Sequence, residues 1–312
     1  MLIMAAPGQG AQTPGFLAPW LELPRVADRL GAWSEIAGVD LIRMGTTADA
    51  DEITDTSVAQ PLLVAAALVV ADLIADGSVR PDIAAGHSVG ELAAGAIAGV
   101  LTSEEAIRLT GIRGRAMAQA TGVTPTGMTA VLGGDEEAVL AALAAHGLTP
   151  ANINAKGQIV AGGTLEQLAA FAADPPARAR LRPLRVAGAF HTSHMAPAVD
   201  TLASQAAEAV VKDPVITLLS NKDGGVVTSG QDWLDRIVAQ VATPVRWDLC
   251  TETMATLGVT AFLELAPGGT LTGIAKRALP GVQLLAMKTP DQLDAARALL
   301  SEHSSANAEP GR

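Results

Sequence analysis

The chain has 312 residues, of which 49% are hydrophobic and 17% charged, a composition typical of a packed globular protein and too apolar for a disordered one. Its formal net charge of −11 argues against general binding to nucleic acids. The single cysteine, Cys250, excludes an intrachain disulfide and indicates a reducing compartment.

The N-terminal segment MLIMAAPGQG has neither the positive region nor the apolar length of a signal peptide. The longest apolar run, PLLVAAALVVADLIA, is interrupted by Asp72 and is too short for a membrane span. We therefore expect a soluble, cytoplasmic protein.

Short apolar runs along the chain predict the strands of a parallel sheet, because such strands are covered on both faces and are apolar nearly throughout. These runs are LIMAA (2–6), DIAA (82–85), VITLLS (215–220), VTAFLEL (259–265) and VQLLAM (282–287). Helical patterns lie between them, at 59–76, 91–100, 195–211 and 289–302. One more helix, TSEEAIRLTGIRGRAMAQ, has a marked start, because Thr102 and Glu105 predict a capping box.

The segment 123–187 has a different pattern. Strand GMTAVLG, helix DEEAVLAALAAHG, strands PANIN and QIVAGG, helix LEQLAAFAAD and strand RLRPLRVAG follow one another. This β-α-β-β-α-β order predicts a ferredoxin-like subdomain inserted into a discontinuous α/β catalytic domain, which comprises 1–122 and 188–300. The polar tail, 301–312, is expected to be disordered. Catalytic residues are expected to face one another across the cleft between the two bodies.

Ser88 lies at the centre of a Gly-x-Ser-x-Gly pentad, between a short apolar strand and a helix pattern rich in small residues. A strand–turn–helix of this kind exposes the serine hydroxyl as a nucleophile, with the amide of Val89 as an oxyanion donor. The alternative is a structural turn in a glycine-rich chain. The flanking strand and helix favour the nucleophile.

A serine nucleophile needs a base, and the chain has five histidines. His87 adjoins Ser88, so its side chain is expected to point away from the attack face; His146 resembles a helix C-terminal residue, and His303 lies near the chain end. His191 and His194 remain, and their spacing does not distinguish them. The five histidines and the single cysteine are not spaced along the chain as the ligands of a metal site are.

Six motifs, spread over residues 3–277, together resemble those of a known enzyme family. They are PGQGAQ, GHSVGE, RGRAM, GAFHTSHM, QVATPVRW and ELAPGGTLTGIAKR. Together they resemble the malonyl-CoA:acyl-carrier-protein transacylases of fatty acid and polyketide synthesis. The resemblance implies an α/β-hydrolase-like large domain with an inserted ferredoxin-like small subdomain.

The resemblance also implies roles for single residues. Ser88 would take the malonyl group as an ester, and His191 would be the general base, with His194 as the secondary candidate. The backbone carbonyl of Gln240 would orient the histidine in place of a carboxylate. The backbone amide of Gln9 would complete the oxyanion hole with that of Val89.

Arg113 follows from the chemistry as well as from the resemblance. The malonyl carboxylate must be buried beside the thioester, where a guanidinium offers a planar, bidentate partner. An exposed helical arginine is the alternative, and it describes Arg108 and Arg115 better. Supporting or selectivity roles are expected for Gln60, Met117, Asn154, Phe190 and Asn221, although loop or turn capping is as good an explanation of Gln60, Asn154 and Asn221.

The implied partners are malonyl-CoA and an acyl carrier protein that brings its own phosphopantetheine; no bound cofactor, metal or nucleic acid is expected, and the family default is a monomer. Docking of the acidic carrier is expected at basic residues, namely Arg178, Arg180, Arg182, Arg185, Lys276 and Arg277. The alternative for the arginine run is a charged edge strand that resists aggregation. A serine esterase or thioesterase of the same fold is the competing enzyme, and a non-catalytic acyl-binding module is the competing class.

Overall fold

A computed structural model describes residues 1–75 and 80–304, and these residues form the α/β fold that the sequence predicts. The strands of the described part are β1 (Leu2–Ala6), β2 (Ile83–Gly86), β3 (Thr126–Gly133), β4 (Thr149–Ala155), β5 (Gln158–Thr164), β6 (Ala179–Pro183), β7 (Thr217–Leu219), β8 (Val226–Val227), β9 (Val245–Arg246), β10 (Ala261–Glu264) and β11 (Gln283–Ala286). Its α-helices are α1 (Val26–Ala37), α2 (Leu41–Thr46), α3 (Thr56–Ala75), α4 (Gly90–Ile97), α5 (Ser103–Thr121), α6 (Glu136–Ala145), α7 (Leu165–Ala173), α8 (Ala196–Ala206), α9 (Gly230–Gln240), α10 (Trp247–Thr256), α11 (Thr270–Ala278) and α12 (Leu293–His303).

The large sheet has the strand order β11-β10-β1-β2-β7-β8. All of the apolar runs predicted as its strands are confirmed, and they pair in parallel. β8, which the sequence did not predict, pairs antiparallel with β7 at the edge.

Both faces of this sheet are covered, which explains why its strands are apolar throughout. In β1, Leu2 and Met4 pack in one hydrophobic core with helices such as α3 and α4, whereas Ile3 and Ala5 pack in a second core with α10 and α11. Successive side chains of a strand point to opposite faces, so a strand between two layers of helices needs apolar residues at every position.

The small sheet has the order β6-β3-β5-β4-β9. With α6 and α7, its first four strands follow the predicted β-α-β-β-α-β order of the ferredoxin-like arrangement. β9 comes from a later part of the chain and pairs in parallel with β4. The main-chain hydrogen bonds of β9 therefore tie this sheet to the rest of the protein. The predicted domain limits at 123 and 187 stay a prediction.

Some predicted boundaries were wrong. The last strand of the small sheet ends at Pro183 instead of continuing to 188, with one further main-chain hydrogen bond from the Leu184 amide to the Met128 carbonyl. The helices predicted at 91–100 and 195–211 end at Ile97 and Ala206. The predicted tail begins too early, since α12 continues to His303. Residue 76 of the helix predicted at 59–76 and residues 305–312 of the predicted tail lie outside the described residues.

The capping box predicted for α5 is only half formed. The Thr102 side chain accepts a hydrogen bond from the amide of Glu105 at 3.1 Å. The Glu105 carboxylate, however, pairs with Arg108 at 2.7 Å instead of returning to the backbone of Thr102. An arginine one turn further along the helix competes successfully for that carboxylate.

α3 is a long apolar helix that packs against α5 and α4. By length and composition it could cross a membrane, but 78% of its most apolar window is buried inside the protein. Its residues pack against α5, α4 and the large sheet as part of the largest hydrophobic core. α3 is therefore explained as a core helix.

α4 lies unusually close to β1. A Cβ atom at Gly90, the first residue of α4, would lie 2.3 Å from the carbonyl oxygen of Ala6. Gly31, in the interior of α1, has nothing within 4 Å of the same position. Packing therefore requires glycine at position 90 and does not require it at position 31.

We expect Gly90→Ala to lower the free energy of unfolding by at least about 2 kcal/mol, because the added methyl group collides with backbone that cannot move freely. Gly31→Ala is the matched control and should raise it by about 1 kcal/mol, because alanine is the better helix former. Urea unfolding followed by circular dichroism measures both values. A Gly90→Ala protein as stable as the wild type would contradict the close packing of α4 on β1.

Candidate active site

The candidate site lies at the carboxyl edge of the large sheet. The parallel strands β1, β2, β7 and β10 all end there, and the segments after them bring Gln9, Ser88, Asn221 and Thr270 to the same edge. A cavity of about 850 Å³ separates this edge from the small sheet and is lined from both sides. Ligands of open α/β sheets bind at such edges.

Ser88 lies in a sharp turn between β2 and α4. Its φ of 53° is in the left-handed region, which few residues other than glycine adopt. A Cβ atom at Gly86 would lie 1.9 Å from the backbone of Gly90, so both glycines of the pentad allow the strand and the helix to approach. The turn exposes the Ser88 hydroxyl to the cavity.

His191 is the histidine that reaches the serine. Its Nε2 lies 2.7 Å from Ser88 Oγ, and its Nδ1 lies 2.8 Å from the backbone carbonyl oxygen of Gln240. A carbonyl can only accept, so Nδ1 carries the proton and Nε2 presents its lone pair to the serine hydroxyl. This is the tautomer that a general base requires.

The imidazole of His191 is held neutral. Burial, reinforced by the positive charge of Arg113, lowers the pKa of His191 to about 3. The residue is 3% exposed and has a φ of 61°.

The other histidines near the site do not contact Ser88. His194 is half-buried outside the cavity lining. The expectation that His87 points away from the attack face was wrong in one respect, because His87 lines the same cavity. Its Nε2 lies 2.8 Å from Asn154 Oδ1, so it is held by the small sheet.

Two backbone amides fit an oxyanion hole. Those of Gln9 and Val89 have no hydrogen-bond partner among the described residues, and both residues line the cavity. The Gln9 side chain is anchored, since its Oε1 accepts from Thr56 Oγ1 at 2.6 Å and its Nε2 donates to the Thr54 carbonyl at 3.3 Å. This anchoring holds the loop after β1 beside Ser88.

Arg113 is a buried cation beside the nucleophile. It projects from α5, is 1% exposed, and its Nη2 lies 3.4 Å from Ser88 Oγ. Its other contacts are neutral, from Nη1 to Gln60 Oε1 at 2.6 Å and from Nη2 to Gln240 Oε1 at 2.9 Å. Burial lowers the pKa of Arg113 to about 10, so it stays charged at neutral pH. Its Nε is buried without a partner in the described part of the chain.

Sequence reasoning missed Glu91, a carboxyl group that is 1% exposed behind the site. Burial raises the pKa of Glu91, whereas the hydrogen bonds from Asn221 and Gln240 and the positive charge of Arg113 lower it and favour the carboxylate. It accepts hydrogen bonds from the backbone amide of Asn221 at 3.0 Å and from the side-chain amide of Gln240. The available signal was a lone carboxylate at the start of a helix otherwise made of small and apolar residues.

The remaining predicted residues divide between the cavity wall and the layer behind it. Gln60, Met117, Asn154 and Phe190 line the cavity, and Gln60 Nε2 contacts Met117 Sδ at 3.3 Å.

Asn221 does not line the cavity and instead lies in the layer behind it. It is fully buried behind Ser88, where its Oδ1 accepts from the Ser88 amide at 2.7 Å and its Nδ2 donates to the Gly86 carbonyl at 2.8 Å. A buried amide side chain must satisfy both ends, and here it braces the turn.

The six predicted basic residues are all exposed. Arg182 and Arg185 also line the cavity, and β6 is an edge strand of the small sheet. Lys276 and Arg277 lie on α11, whose first turns line the opposite wall; Arg277 donates to Gln158 at 2.7 Å. None of the six predicted cations forms a salt bridge with another described residue.

Comparison with known proteins agrees with this geometry. Residues 6–300 match the acyl transferase domain family. A relative from Mycobacterium tuberculosis, named malonyl CoA-acyl carrier protein transacylase, is 55% identical over 94% of this chain and 98% of its own length. A crystal structure of MCAT from the same species has a TM-score of 0.93 at 55% identity, covering 95% of this chain and 99% of the other. A malonyl-transacylase in complex with its type II PKS acyl-carrier protein has a TM-score of 0.89 at 30% identity, covering 95% and 99% of the two chains.

The lowered pKa of His191 predicts a flat pH profile. Neutral imidazole is the reactive form, and with a pKa of about 3 it persists far below neutrality. We expect the rate of Ser88 acylation by an uncharged activated ester to change less than about twofold between pH 7.5 and 5, whereas an ordinary histidine with a pKa near 6.5 would slow it about 30-fold. Single-turnover kinetics over this range measure the rate. A midpoint near pH 6.5 would contradict the buried, neutral histidine.

Proposed function

The chain belongs to the acyl transferase family, and from this premise we propose that it transfers a malonyl group from malonyl-CoA to the phosphopantetheine thiol of an acyl carrier protein. The product supplies extender units for fatty acid or polyketide synthesis. The observation that carries the proposal is the buried guanidinium of Arg113 beside the nucleophile Ser88, at an Nη2–Oγ distance of 3.4 Å.

Arg113 fits the free carboxylate of a malonyl group. In malonyl thioesters one methylene separates the carboxylate from the reacting carbonyl carbon, so the acid must bind close to Ser88. A buried carboxylate without a charged partner costs several kcal/mol. The unpartnered Nε–H and the charge of Arg113 offer that partner, and the apolar ring of Phe190 lines the same cavity.

The first half-reaction follows from the contacts of Ser88. His191 Nε2 takes the hydroxyl proton while Oγ bonds to the thioester carbonyl carbon. The oxyanion is held by the amides of Gln9 and Val89. Its collapse breaks the carbon–sulfur bond, and His191 returns the proton to the leaving CoA sulfur.

The second half-reaction runs through the same groups in reverse order. The carrier thiol gives its proton to His191 and attacks the ester carbonyl, and Ser88 leaves as an alcohol after it takes the proton back. Burial is the main cause of the low pKa of His191 and the charge of Arg113 adds to it; a bound malonyl carboxylate offsets that charge. Substrate binding therefore makes the histidine a stronger base.

The proposed reaction uses no bound cofactor: the CoA thioester is a substrate, and the carrier brings its own phosphopantetheine. No cluster of three or more His, Cys, Asp or Glu side chains suited to a metal occurs among residues 1–75 and 80–304. All groups assigned to the reaction come from one chain, so we also propose that the protein is a monomer. We propose a cytoplasmic location on separate grounds, because the single cysteine indicates a reducing compartment.

Intact-mass measurement with malonyl-CoA tests the function. We expect a malonyl adduct on Ser88 that persists in buffer and moves to reduced carrier protein when it is added, because a thiol rather than water completes the reaction. Ser88→Ala should form no adduct. Rapid loss of the adduct to water would instead identify a hydrolase, and the absence of any adduct would identify a binding module.

Arg113→Met separates carboxylate recognition from catalysis in the same assay. The variant keeps an unbranched apolar stem and removes all five donors. We expect acylation by malonyl-CoA to slow at least about 100-fold, because the carboxylate loses its charged partner. Acylation by acetyl-CoA, which has no carboxylate, is the internal control and should not fall. An unchanged preference for malonyl-CoA would exclude Arg113 as the selectivity residue.

We further propose that the carrier docks on the exposed cations beside the cavity, including Arg178 and Arg180. An acidic protein can bind this acidic chain only where positive charge is concentrated locally. These arginines have no carboxylate partner among the described residues, and Arg180 lies on the same strand as Arg182, which lines the cavity. Protection of the β6 edge is the competing explanation.

Arg180→Glu should raise the KM for carrier protein about tenfold and leave acylation by malonyl-CoA within about twofold, because a rim charge acts on association. Lys212→Glu is the matched control: Lys212 is exposed before β7, at the opposite edge of the large sheet, and should change neither value. Steady-state kinetics at two salt concentrations measure both. An unchanged KM for carrier in Arg180→Glu would favour the edge-protection explanation.

A further inference from the structure

Glu91 is a buried carboxyl group to which the reaction steps assign no task. It follows Gly90 on the first turn of α4, behind the turn that carries Ser88. Burial of a carboxyl group is costly unless its oxygens receive hydrogen bonds, so its partners indicate what it does.

Each oxygen of Glu91 holds a different part of the site. Oε1 accepts from the backbone amide of Asn221 at 3.0 Å, and Asn221 Oδ1 accepts in turn from the Ser88 amide at 2.7 Å. Oε2 accepts from Gln240 Nε2, and Gln240 Oε1 accepts in turn from Arg113 Nη2 at 2.9 Å. Glu91 thus lies where two chains of hydrogen bonds meet.

The hydrogen bond from Gln240 Nε2 to Glu91 Oε2 determines which way the side-chain amide of Gln240 faces. A guanidinium has donors only, so an amide beside Arg113 must present its oxygen. The amide nitrogen then needs an acceptor on the other side, where Glu91 Oε2 is the nearer one and Asn221 Oδ1 lies 3.3 Å away. With the amide turned over, two donors would face each other at Arg113, in a site where unmade hydrogen bonds are costly.

We propose that Glu91 is a positioning residue: it fixes the side-chain amide of Gln240 and thereby holds the Arg113 guanidinium for the carboxylate of the substrate. The inference rests on the proposed malonyl transfer and deepens it. Glu91 contacts neither substrate nor reacting atoms, so its effect is on the discrimination between malonyl and acetyl thioesters.

Glu91→Gln is the sharpest test, because glutamine has the same shape but only one acceptor oxygen. If that oxygen keeps the Asn221 amide, the new NH₂ group faces Gln240 Nε2, so the Gln240 amide loses its nearer acceptor and keeps only the longer contact with Asn221 Oδ1 at 3.3 Å. The orientation with its nitrogen toward Glu91 is then no longer favoured. We expect the ratio of kcat/KM for malonyl-CoA to that for acetyl-CoA to fall about tenfold, mainly through a higher KM for malonyl-CoA.

Glu264→Gln is the matched control for loss of a buried carboxylate. Glu264 is also fully buried and accepts from the amides of Gly269, Leu271 and Thr272 at the start of α11. We expect this variant to lower the Tm and leave the malonyl-to-acetyl ratio within about twofold of wild type. A general loss of stability would therefore be recognised as such.

A double-mutant cycle with Gln240→Met tests the route. The backbone carbonyl that orients His191 is retained in this variant, whereas the amide that links Glu91 to Arg113 is removed. If Glu91 acts through that amide, Glu91→Gln changes the ratio no further in the Gln240→Met background. Additive effects of the two substitutions would overturn the proposal.

The remaining outcomes are also decisive. A folded Glu91→Gln protein with the wild-type ratio would overturn the proposal, and Glu91→Asp, which is too short to hold both partners, gives a second measurement of the same effect. If neither variant folds while Glu264→Gln does, Glu91 serves stability and the proposal fails. The wild-type protein is measured first. If its kcat/KM for malonyl-CoA does not exceed that for acetyl-CoA, the proposed function itself has failed, independently of Glu91.

Discussion

The burial of one positive charge constrains everything around it. Arg113 is 1% exposed, and a guanidinium at such a position costs several kcal/mol unless acceptors compensate its charge; its Nε has no partner in the described part of the chain, whereas both terminal nitrogens do. Its acceptors here are the neutral amide oxygens of Gln60 and Gln240. No salt bridge joins it to a described carboxylate, and Glu91 reaches it only through Gln240. The charge is therefore solvated by the protein without being neutralised, which leaves it able to bind an anion.

The same logic explains why the base is oriented by a carbonyl. A carboxylate behind His191 would place a negative charge close to Arg113, in addition to that of the substrate. It would then compete with the anionic substrate for the guanidinium. The carbonyl of Gln240 selects the required tautomer without adding charge. Gln240 thus contributes two neutral acceptors, its backbone oxygen to the base and its side-chain oxygen to the cation. One residue at the end of α9 sets the relative position of both.

These contacts depend on how the two sheets meet. The parallel strands of the large sheet deliver Gln9, Ser88 and Asn221 to one edge, and the small sheet closes the opposite side of the cavity. β9, which follows Gln240 closely along the chain, pairs with β4 of the small sheet. Displacement of the small sheet would therefore be transmitted to the residue that holds His191 and Arg113.

Local patterns in the sequence determined the strands of the large sheet, the β-α-β-β-α-β order of the small one and the turn at Ser88, because apolar runs, periodicity and glycines act over a few residues. They did not separate His191 from His194, which required the resemblance to a family. Only the tertiary structure decided that Asn221 braces the turn from behind and that Glu91 is buried. The reason is physical: a hydrogen bond between residues 149 positions apart, such as that between Glu91 and Gln240, leaves no periodic trace along the chain.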